Sequence, residues 1–524
     1  MRISDIEAIA VLCCDIYNGA FPNSEVICIL HPVMAPYISS TLIINLLPYL
    51  VASSICILFL LQHKKSKIKN KTPPGNMGLP FIGETMEFYR AQQNNRLFED
   101  FITPRIQKHG NTFKTKLMGS ATVIVNGLEA NRFFLANEFK LVVSSWPSSS
   151  VQLMGENSIM EKTGECHRSL RAILAPCLGG TGLEALVPKI CKVVKAHLVK
   201  DWGNQKRVIT LYKSAKFLIF TIMCECVLEM EAKEELFDCF ERVLEGVFSP
   251  PLDVPGTSFW RAKKARKEIE RELSSVVRKK RKEMEELDEN VRSKDELKSL
   301  LSRLVGGLIK GEIREVEVID NMVLFIFAAH DTTSFAIAMT FKMLAKHSNS
   351  YTTLLQEHMK IKGNKSPGNE GLTMEDLKEM KYTWQVVRET MRLSPPVFGS
   401  FRRAIKEFEF DGFTIPQGWK VLWTVYGTHY SEEYFREPHR FDPSRFEETV
   451  PPYVFLAFGG GPRMCAGNQL AKLNILIFVH LVVTNYDWSL VENDEPILMD
   501  PLPIPSKGMP ITISPFFSNH SPNQ

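Results

Sequence analysis

The chain has 524 residues, of which 44% are hydrophobic and 23% are charged, so it is long and apolar enough to bury a large core. Its formal net charge of +4 gives no reason to expect a nucleic-acid partner, and we predict none. The 11 cysteines show neither a zinc-binding C-x-x-C pattern nor a regular disulfide spacing, which favours buried free thiols in a reducing compartment.

The first element along the chain is a predicted transmembrane anchor at residues 37–61. This stretch carries no charged side chain and exceeds the roughly 20 apolar residues that a helical span requires. The lysine-rich QHKKSKIKNK that follows predicts a cytosolic flank under the positive-inside rule. A cleaved signal peptide is the alternative, but the segment is too long and lacks a clear cleavage site. Residues 1–36 form a leader that would face the lumen, and we hypothesise that the natural start is Met34.

A hinge is predicted next, at residues 62–85, where lysines give way to the proline- and glycine-rich TPPGNMGLPFIGET. Residues 86–524 are predicted to form one domain that is mainly α with a smaller β portion. Short strands are expected in TFKTKLMGSATVIVN and in FEFDGFTIPQGWKVLW. The block 261–298 alternates acidic and basic residues at helical spacing, which is typical of a solvated helix face.

An apolar run within residues 311–348 predicts a long helix whose middle carries the polar motif AAHDTT at 328–333. A second membrane span would bury these polar side chains in lipid at a high cost, so we predict a helix buried inside the domain. Asp331 beside Thr332 is either a satisfied polar pair in the core or a proton relay to a bound ligand. The two alanines of the motif would let a flat ligand approach the backbone, which favours the relay.

A further helix is predicted to begin at Thr373, which can form a capping box with Asp376. Its apolar stripe continues at helical spacing to Met391. Glu389 and Arg392 lie three residues apart on this helix and can form an ion pair. The alternative is an exposed ion pair, which contributes little to stability. The E-x-x-R pattern is weak evidence when it stands alone, because it occurs often by chance.

The loop FGGGPRMCAG at 458–467 places one thiol, Cys465, among four glycines and ahead of an apolar helical run. The glycines suggest that something large lies against the loop. Neighbouring zinc ligands and the G-K-[ST] of a P-loop are both missing from the sequence, whereas a cysteine hydrolase stays open. Arg463 and the N-terminus of the following helix are expected to lower the pKa of this thiol, and a thiolate beside a flat cofactor is the ligation of a haem.

Together these motifs resemble the cytochrome P450 family of haem-thiolate monooxygenases. The cysteine loop matches F-x-x-G-x-R-x-C-x-G at every fixed position, and AAHDTT matches [AG]-G-x-[DE]-T-[TS] except that Ala329 replaces a glycine. FDPSRF supplies Arg445, which would join Glu389 and Arg392 in a buried network that holds the haem-loop scaffold. The motifs follow the family order from Pro73 onward. The resemblance implies the P450 fold with one N-terminal transmembrane helix, and haem b (iron protoporphyrin IX) as cofactor.

The resemblance also assigns roles to individual residues. Cys465 would be the axial ligand of the haem iron, and Asp331 and Thr332 would deliver protons. The family often has tryptophan where this chain has a histidine in HRSLR, which leaves the role of that histidine open. The residues implied to bind or surround the haem are His167, Arg171, Arg402 (or its neighbour Arg403), Phe458, Arg463 and Gly467.

Within the family, the chain most resembles the plant clan of membrane-bound P450s that oxidise brassinosteroids, triterpenoids and related terpenoids. This implies a single-pass protein of the endoplasmic reticulum membrane with a cytosolic catalytic domain. It would insert one oxygen atom of O2 into a C–H bond of a lipophilic terpenoid, with electrons from NADPH-cytochrome P450 reductase. Substrate contacts are expected at Phe327, Ala328, Val397 and Phe398. A reductase-independent haem-thiolate hydroperoxide isomerase or lyase and a catalytically silent membrane haem or lipid binder remain as alternatives.

Overall fold

The computed structural model describes residues 71–203, 206–287, 299–365, 371–499 and 502–516. The predicted leader, the predicted anchor and residues 62–70 of the hinge lie outside these ranges. Residues from Lys71 onward belong to one compact unit, and this unit contains every predicted site residue.

Helices dominate the described chain, and the predicted class of mainly α with a smaller β portion is confirmed. In chain order they are α1 Thr85–Gln93, α2 Thr103–His109, α3 Leu128–Ala136, α4 Ser148–Met154, α5 Gly164–Leu174, α6 Gly180–His197, α7 Leu211–Ile222, α8 Glu234–Val247, α9 Ser258–Glu285, α10 Leu300–Ile309, α11 Glu315–Lys346, α12 Ser348–Gly363, α13 Met374–Glu379, α14 Lys381–Leu393, α15 Tyr426–His429 and α16 Asn468–Val483.

The strands form one larger sheet and several small ones, and both predicted strand regions contain strands. In chain order the strands are β1 Thr112–Leu117, β2 Ser120–Val125, β3 Val142–Ser144, β4 Arg207–Thr210, β5 Gly399–Ala404, β6 Phe408–Phe410, β7 Phe413–Ile415, β8 Lys420–Thr424, β9 Tyr486–Leu490, β10 Ile497–Met499, β11 Pro503–Pro505 and β12 Pro510–Pro515. The five-stranded sheet has the order β1-β2-β8-β5-β3 and is antiparallel except for the β2–β8 pair. A three-stranded sheet, β4-β12-β9, and the hairpins β6–β7 and β10–β11 complete the β portion of the described chain.

The long apolar helix α11 lies inside the largest hydrophobic cluster, where it packs against α7, α14 and α16. Among the described residues it is the one helix long and apolar enough to cross a membrane, but 67% of its most apolar window is buried within the domain. A second cluster fills the space between the five-stranded sheet and the helices α1 and α3. The structure therefore agrees with the prediction of a helix buried in the core.

The predicted single helix beginning at Thr373 is wrong, because the structure divides it into α13 and α14 at Met380. The capping box of Thr373 and Asp376 is present at the start of α13. Met380 has ψ 55°, outside the helical region, and the new N-terminus is satisfied from another helix. The carboxylate of Glu357 on α12 accepts hydrogen bonds from the backbone N–H groups of Tyr382 and Thr383, at 2.7 and 3.0 Å. A long-range cap thus outweighs the continuous apolar stripe.

Candidate active site

The cysteine loop is closed by backbone contacts and leads directly into α16. The N–H of Cys465 donates to the carbonyl of Phe458 at 2.9 Å, and Gly467 is the N-cap of α16. Gly461 has φ 65°, and a Cβ there would collide with the carbonyl of Leu135 at the end of α3. At least this glycine is therefore required by the packing of the loop on the protein itself, and not only by a ligand.

The expected lowering of the Cys465 pKa by Arg463 is wrong for the thiol as it stands in this structure. Burial raises the pKa, while a hydrogen bond from the backbone N–H of Gly467 and the charge of Arg171 oppose the rise without cancelling it. Arg463 does not contribute to this shift. The side chain is nevertheless accessible at its surface. The thiol is therefore closely surrounded by protein and yet accessible at its surface.

The middle of α11 shows a similar combination, because one face is accessible although most of the helix is buried. Ala328 is exposed, and Leu324 and Thr332, one turn before and after it, are half-buried. Because α11 packs against α16, which follows the cysteine loop, the accessible face and the thiol belong to adjoining elements. An accessible thiol and an accessible helix face with a small side chain, on adjoining elements, fit a flat haem ligated through sulfur.

The four predicted substrate contacts differ in their exposure, and the alanine and valine are more accessible than the two phenylalanines. Ala328 and Val397 have exposed side chains. Phe327 packs near His330, with ring centroids 6.2 Å apart, and Phe398 stacks on Tyr426 in the sheet-side cluster. The first two are therefore the better placed to meet a ligand.

Two of the arginines predicted to bind or surround the haem, Arg402 and Arg463, converge on an acid that the sequence analysis missed. Arg402 Nε and Arg463 Nε lie 2.7 and 2.6 Å from the two carboxylate oxygens of Glu138. His167 lies in the same region, where burial and then the charges of Arg463 and Arg171 lower its pKa to about 4. This histidine is therefore neutral at physiological pH, and its ring packs against Phe139, with centroids 5.2 Å apart. The one sequence signal for Glu138 is an isolated acid in the apolar stretch FFLANEFKLVV.

Asp331 does not stand alone beside Thr332 but belongs to a buried ionic cluster with α7 and α8. Its Oδ1 lies 2.8 Å from Lys216 Nζ and accepts a 3.0 Å hydrogen bond from the Tyr212 hydroxyl. Lys216 also contacts Glu241 at 2.7 Å, and His330 Nε2 lies 3.2 Å from Asp331 Oδ2 and 3.4 Å from Glu241. The acid of the AAHDTT motif is thus held by charges from two neighbouring helices.

The cluster shifts the pKa values of Glu241 and His330. Burial opposes ionisation of Glu241, but His330 and Lys216 outweigh it and lower the Glu241 pKa to about 2. Burial also disfavours the charged form of His330, yet Asp331 and Glu241 raise its pKa above the ordinary value. Lys216 already contacts both acids, so a metal ion at Glu241, His330 and Asp331 would have to displace an ammonium group.

Thr332 has a different environment from its neighbour. Its hydroxyl donates to the carbonyl of Ala328 at 2.8 Å on the accessible face of α11. Asp331 is 2% exposed and is held by the cluster with Tyr212 and Lys216. The acid and the hydroxyl that the sequence places together therefore differ in accessibility, and any proton route between them needs an intermediary such as water.

The three residues of the predicted structural network are in contact. Arg392 donates to both carboxylate oxygens of Glu389, at 2.7 and 2.8 Å, and both side chains are fully buried. Arg445 Nε lies 3.3 Å from Glu389, and the backbone N–H of Asp442 donates to the same carboxylate at 2.9 Å. A single buried acid thus faces two guanidinium groups, with bidentate geometry toward one of them.

His429, which no sequence signal marked, joins this network to the segment before the cysteine loop. Its Nδ1–H donates to the carbonyl of Arg392 at 3.1 Å, and its Nε2 accepts from the N–H of Leu456 at 3.0 Å. Arg392 returns a 2.6 Å hydrogen bond to the carbonyl of His429. Because one ring nitrogen must donate and the other accept, only the neutral imidazole satisfies both contacts.

We expect His429→Gln to reduce the acid sensitivity of the fold. Burial lowers the His429 pKa to about 3 from an ordinary 6.5, so the unfolded chain takes up a proton at higher pH than the folded chain. The stabilisation is present above about pH 6.5 and is lost as the pH falls toward 3. This single group should cost the native protein about 2 kcal/mol of unfolding free energy between pH 7 and pH 5. Urea unfolding at both pH values measures it, with the exposed His439→Gln as control; an unchanged pH slope in His429→Gln would contradict the assignment.

Fold and site together define a haem-thiolate enzyme, and comparison with known proteins agrees. The cytochrome P450 family model matches residues 73–513. Taxane 13-alpha-hydroxylase of Taxus cuspidata is 38% identical, over 87% of this chain and 94% of that protein. Beta-amyrin 28-monooxygenase of Medicago truncatula is 36% identical, over 90% and 98%. The retinoic acid-bound structure of cyanobacterial CYP120A1 is 29% identical, covers 85% of this chain and 99% of that chain, and superposes with a TM-score of 0.75.

The chain belongs to the cytochrome P450 family. It has the P450 fold, its cofactor is haem, and it is a monooxygenase. A cysteine hydrolase, which the thiol alone left open, is excluded by this membership.

Proposed function

We propose that this P450 hydroxylates a lipophilic terpenoid of the triterpenoid or sterol size class, with electrons from NADPH-cytochrome P450 reductase. The observation that carries the proposal is the accessible apolar face of α11 around Ala328, which offers small side chains to a bulky rigid substrate. The similarity to a taxane hydroxylase and a β-amyrin monooxygenase supports the terpenoid class.

In this proposal the haem iron, when bound, activates O2 for insertion into a C–H bond. Cys465 would ligate the iron, and the hydrogen bond from the N–H of Gly467 to the sulfur would tune its donor strength. Thr332 supplies a hydroxyl at the accessible face of α11. Asp331, held in the cluster with Lys216, is the acid through which protons reach that hydroxyl by way of water.

The membrane location is part of the same proposal. Residues 37–61 anchor the protein in the endoplasmic reticulum membrane, with the residues before them in the lumen and the catalytic domain, 86–524, in the cytosol. The proposed hinge at 62–85 connects them. A lipophilic substrate that partitions into the bilayer would reach such an enzyme at high local concentration.

The test is conversion of a substrate panel by microsomes that contain the protein with or without a plant P450 reductase. The panel holds β-amyrin, a sterol, a taxane diterpenoid and a fatty-acid hydroperoxide. NADPH- and reductase-dependent hydroxylation of a terpenoid is expected. Turnover of the hydroperoxide without reductase would favour the isomerase or lyase alternative, and a haem spectrum without conversion of any panel member would favour the silent binder.

Thr332→Ala is expected to leave the haem spectrum intact but to divert at least about half of the NADPH consumed into hydrogen peroxide, since an intramolecular proton donor is typically worth 10²–10⁴-fold in rate. Thr333→Ala is the matched control, because it removes a hydroxyl from the next residue, whose side chain is buried. The measurement is peroxide and product formed per NADPH. Equal coupling in the two variants would remove Thr332 from proton delivery.

A further inference from the structure

Glu138 is a buried acid that none of the P450 motifs contains, and it sits where two arginines meet. It follows α3, and its side chain is 1% exposed. Besides the two guanidinium groups, its Oε1 accepts the backbone N–H of Ser144 at 2.9 Å. A carboxylate buried so completely has to be compensated, and the two arginines do this. The two arginines differ in how many of their N–H groups have acceptors within the protein, and this difference indicates a role for Glu138.

Nearly all the N–H donors of the Arg463 guanidinium are engaged by acceptors within the protein. Its Nε donates to Glu138 at 2.6 Å, and its Nη1 donates to the carbonyls of Ile159 and Met160 at 3.3 and 2.9 Å. Its Nη2 donates to the carbonyl of Lys162 at 2.7 Å. Four of the five N–H groups of this guanidinium are therefore engaged. Arg463 ties the cysteine loop to the segment before α5, with little capacity left for an external anion.

Arg402 has the opposite arrangement. Its Nε lies 2.7 Å from Glu138, and its Nη1 donates to the Ser400 hydroxyl and the Phe401 carbonyl at 2.8 and 3.1 Å. Its Nη2 has no acceptor among the described residues and is accessible to solvent. The residue as a whole is 4% exposed. One edge of a buried, oriented guanidinium is thus left free.

The charges in this region do not balance within the protein. Arg402 and Arg463 carry two positive charges, and Glu138 supplies one negative charge. Arg171 interacts with His167 in the same region, and Glu161 interacts with Arg463, Arg403 and Glu156. The charges of these two further arginines and two further acids cancel. One positive charge remains uncompensated in a buried setting, which favours binding of an anion.

We propose that Glu138 is a positioning residue for the haem: it holds Arg463 as a crosslink and turns Arg402 so that its free Nη2 edge meets a haem propionate. The inference depends on the proposed placement of the haem between Cys465 and α11. It separates the two arginines that the family resemblance treats alike, with Arg402 as the propionate ligand and Arg463 as scaffold.

The test is Glu138→Gln in the full-length holoprotein, with two readouts that do not depend on turnover. The rate of haem transfer to apomyoglobin should rise severalfold, because Arg402 loses the partner that orients it. The midpoint potential of the haem should shift in the positive direction, because a nearby anion is removed. The Soret band of the reduced, CO-bound protein should stay at its position, since the sulfur ligand is untouched. Glu129→Gln, at an exposed site on α3, should change neither readout.

A double variant decides whether Glu138 acts through Arg402. Glu138→Gln combined with Arg402→Met should release haem no faster than Arg402→Met alone. If Glu138→Gln fails to fold, Glu138→Asp keeps the charge and shortens the reach, and it should release haem faster with little change in potential. Haem release and potential equal to those of the native protein, with only a lower unfolding temperature, would overturn the proposal. Absence of a thiolate-type CO spectrum in the native protein would instead overturn the haem placement.

Discussion

Replacing Cys465 by serine is expected to abolish the strongly red-shifted Soret band of the reduced, CO-bound protein and to reduce NADPH-dependent oxidation to background. The band reports a thiolate opposite the CO, and serine cannot supply a sulfur ligand. The loop itself should persist, because its backbone contact from Cys465 N–H to the Phe458 carbonyl does not involve the thiol. Soret spectroscopy and circular dichroism on the same sample separate the loss of the ligand from a loss of fold.

Cys166→Ser is the matched control. Cys166 is the other exposed thiol among the described residues, and it lies on α5 next to His167, so it shares the accessibility of Cys465 but not its loop. Its substitution should leave both the spectrum and the turnover unchanged. A thiolate-type band that survives in Cys465→Ser, or disappears in Cys166→Ser, would assign the iron ligand to a different residue.

Glu389→Gln is expected to lower the free energy of unfolding by roughly 3–5 kcal/mol, because it leaves two guanidinium groups facing a neutral amide in the core. Arg392 is fully buried and Arg445 has a 9% exposed side chain, so water cannot replace the lost carboxylate. Much of the stability of an ordinary domain would be lost, and the yield of haem-loaded protein should fall accordingly. Urea unfolding of purified protein, followed by circular dichroism, measures the change.

Glu165→Gln provides the comparison at identical spacing. Glu165 and Arg168 also form an ion pair three residues apart on a helix, but their side chains are 70% and 76% exposed. Solvent screens this pair, and its loss should cost less than about 1 kcal/mol. If the two variants unfold at the same urea concentration, burial of the Glu389–Arg392 pair does not carry the stability that we assign to it.

Much of the fold follows from local patterns. Short strands are expected in TFKTKLMGSATVIVN, which contains β1 and β2, and the apolar run NQLAKLNILIFVHLVV coincides with α16. The long central helix could be placed because polar residues interrupt an otherwise apolar run, which lipid would not tolerate. Where the prediction failed, at Met380, the competing interaction comes from Glu357 on another helix, which no local pattern reveals.

The candidate site divides in the same way. The sequence by itself determined the residues with a motif: Cys465 in its loop, Glu389 with Arg392, and Asp331 with Thr332. Only the tertiary structure decided their partners: Glu138 between two arginines, His429 between the network and the cysteine loop, and Lys216 beside Asp331. The physical reason is that a buried charge or imidazole must be satisfied by whatever group the packing brings near, and that group can lie hundreds of residues away in the chain. A motif identifies the residues that the chemistry requires. The groups that neutralise the charges of those residues depend on how the helices and loops pack in three dimensions.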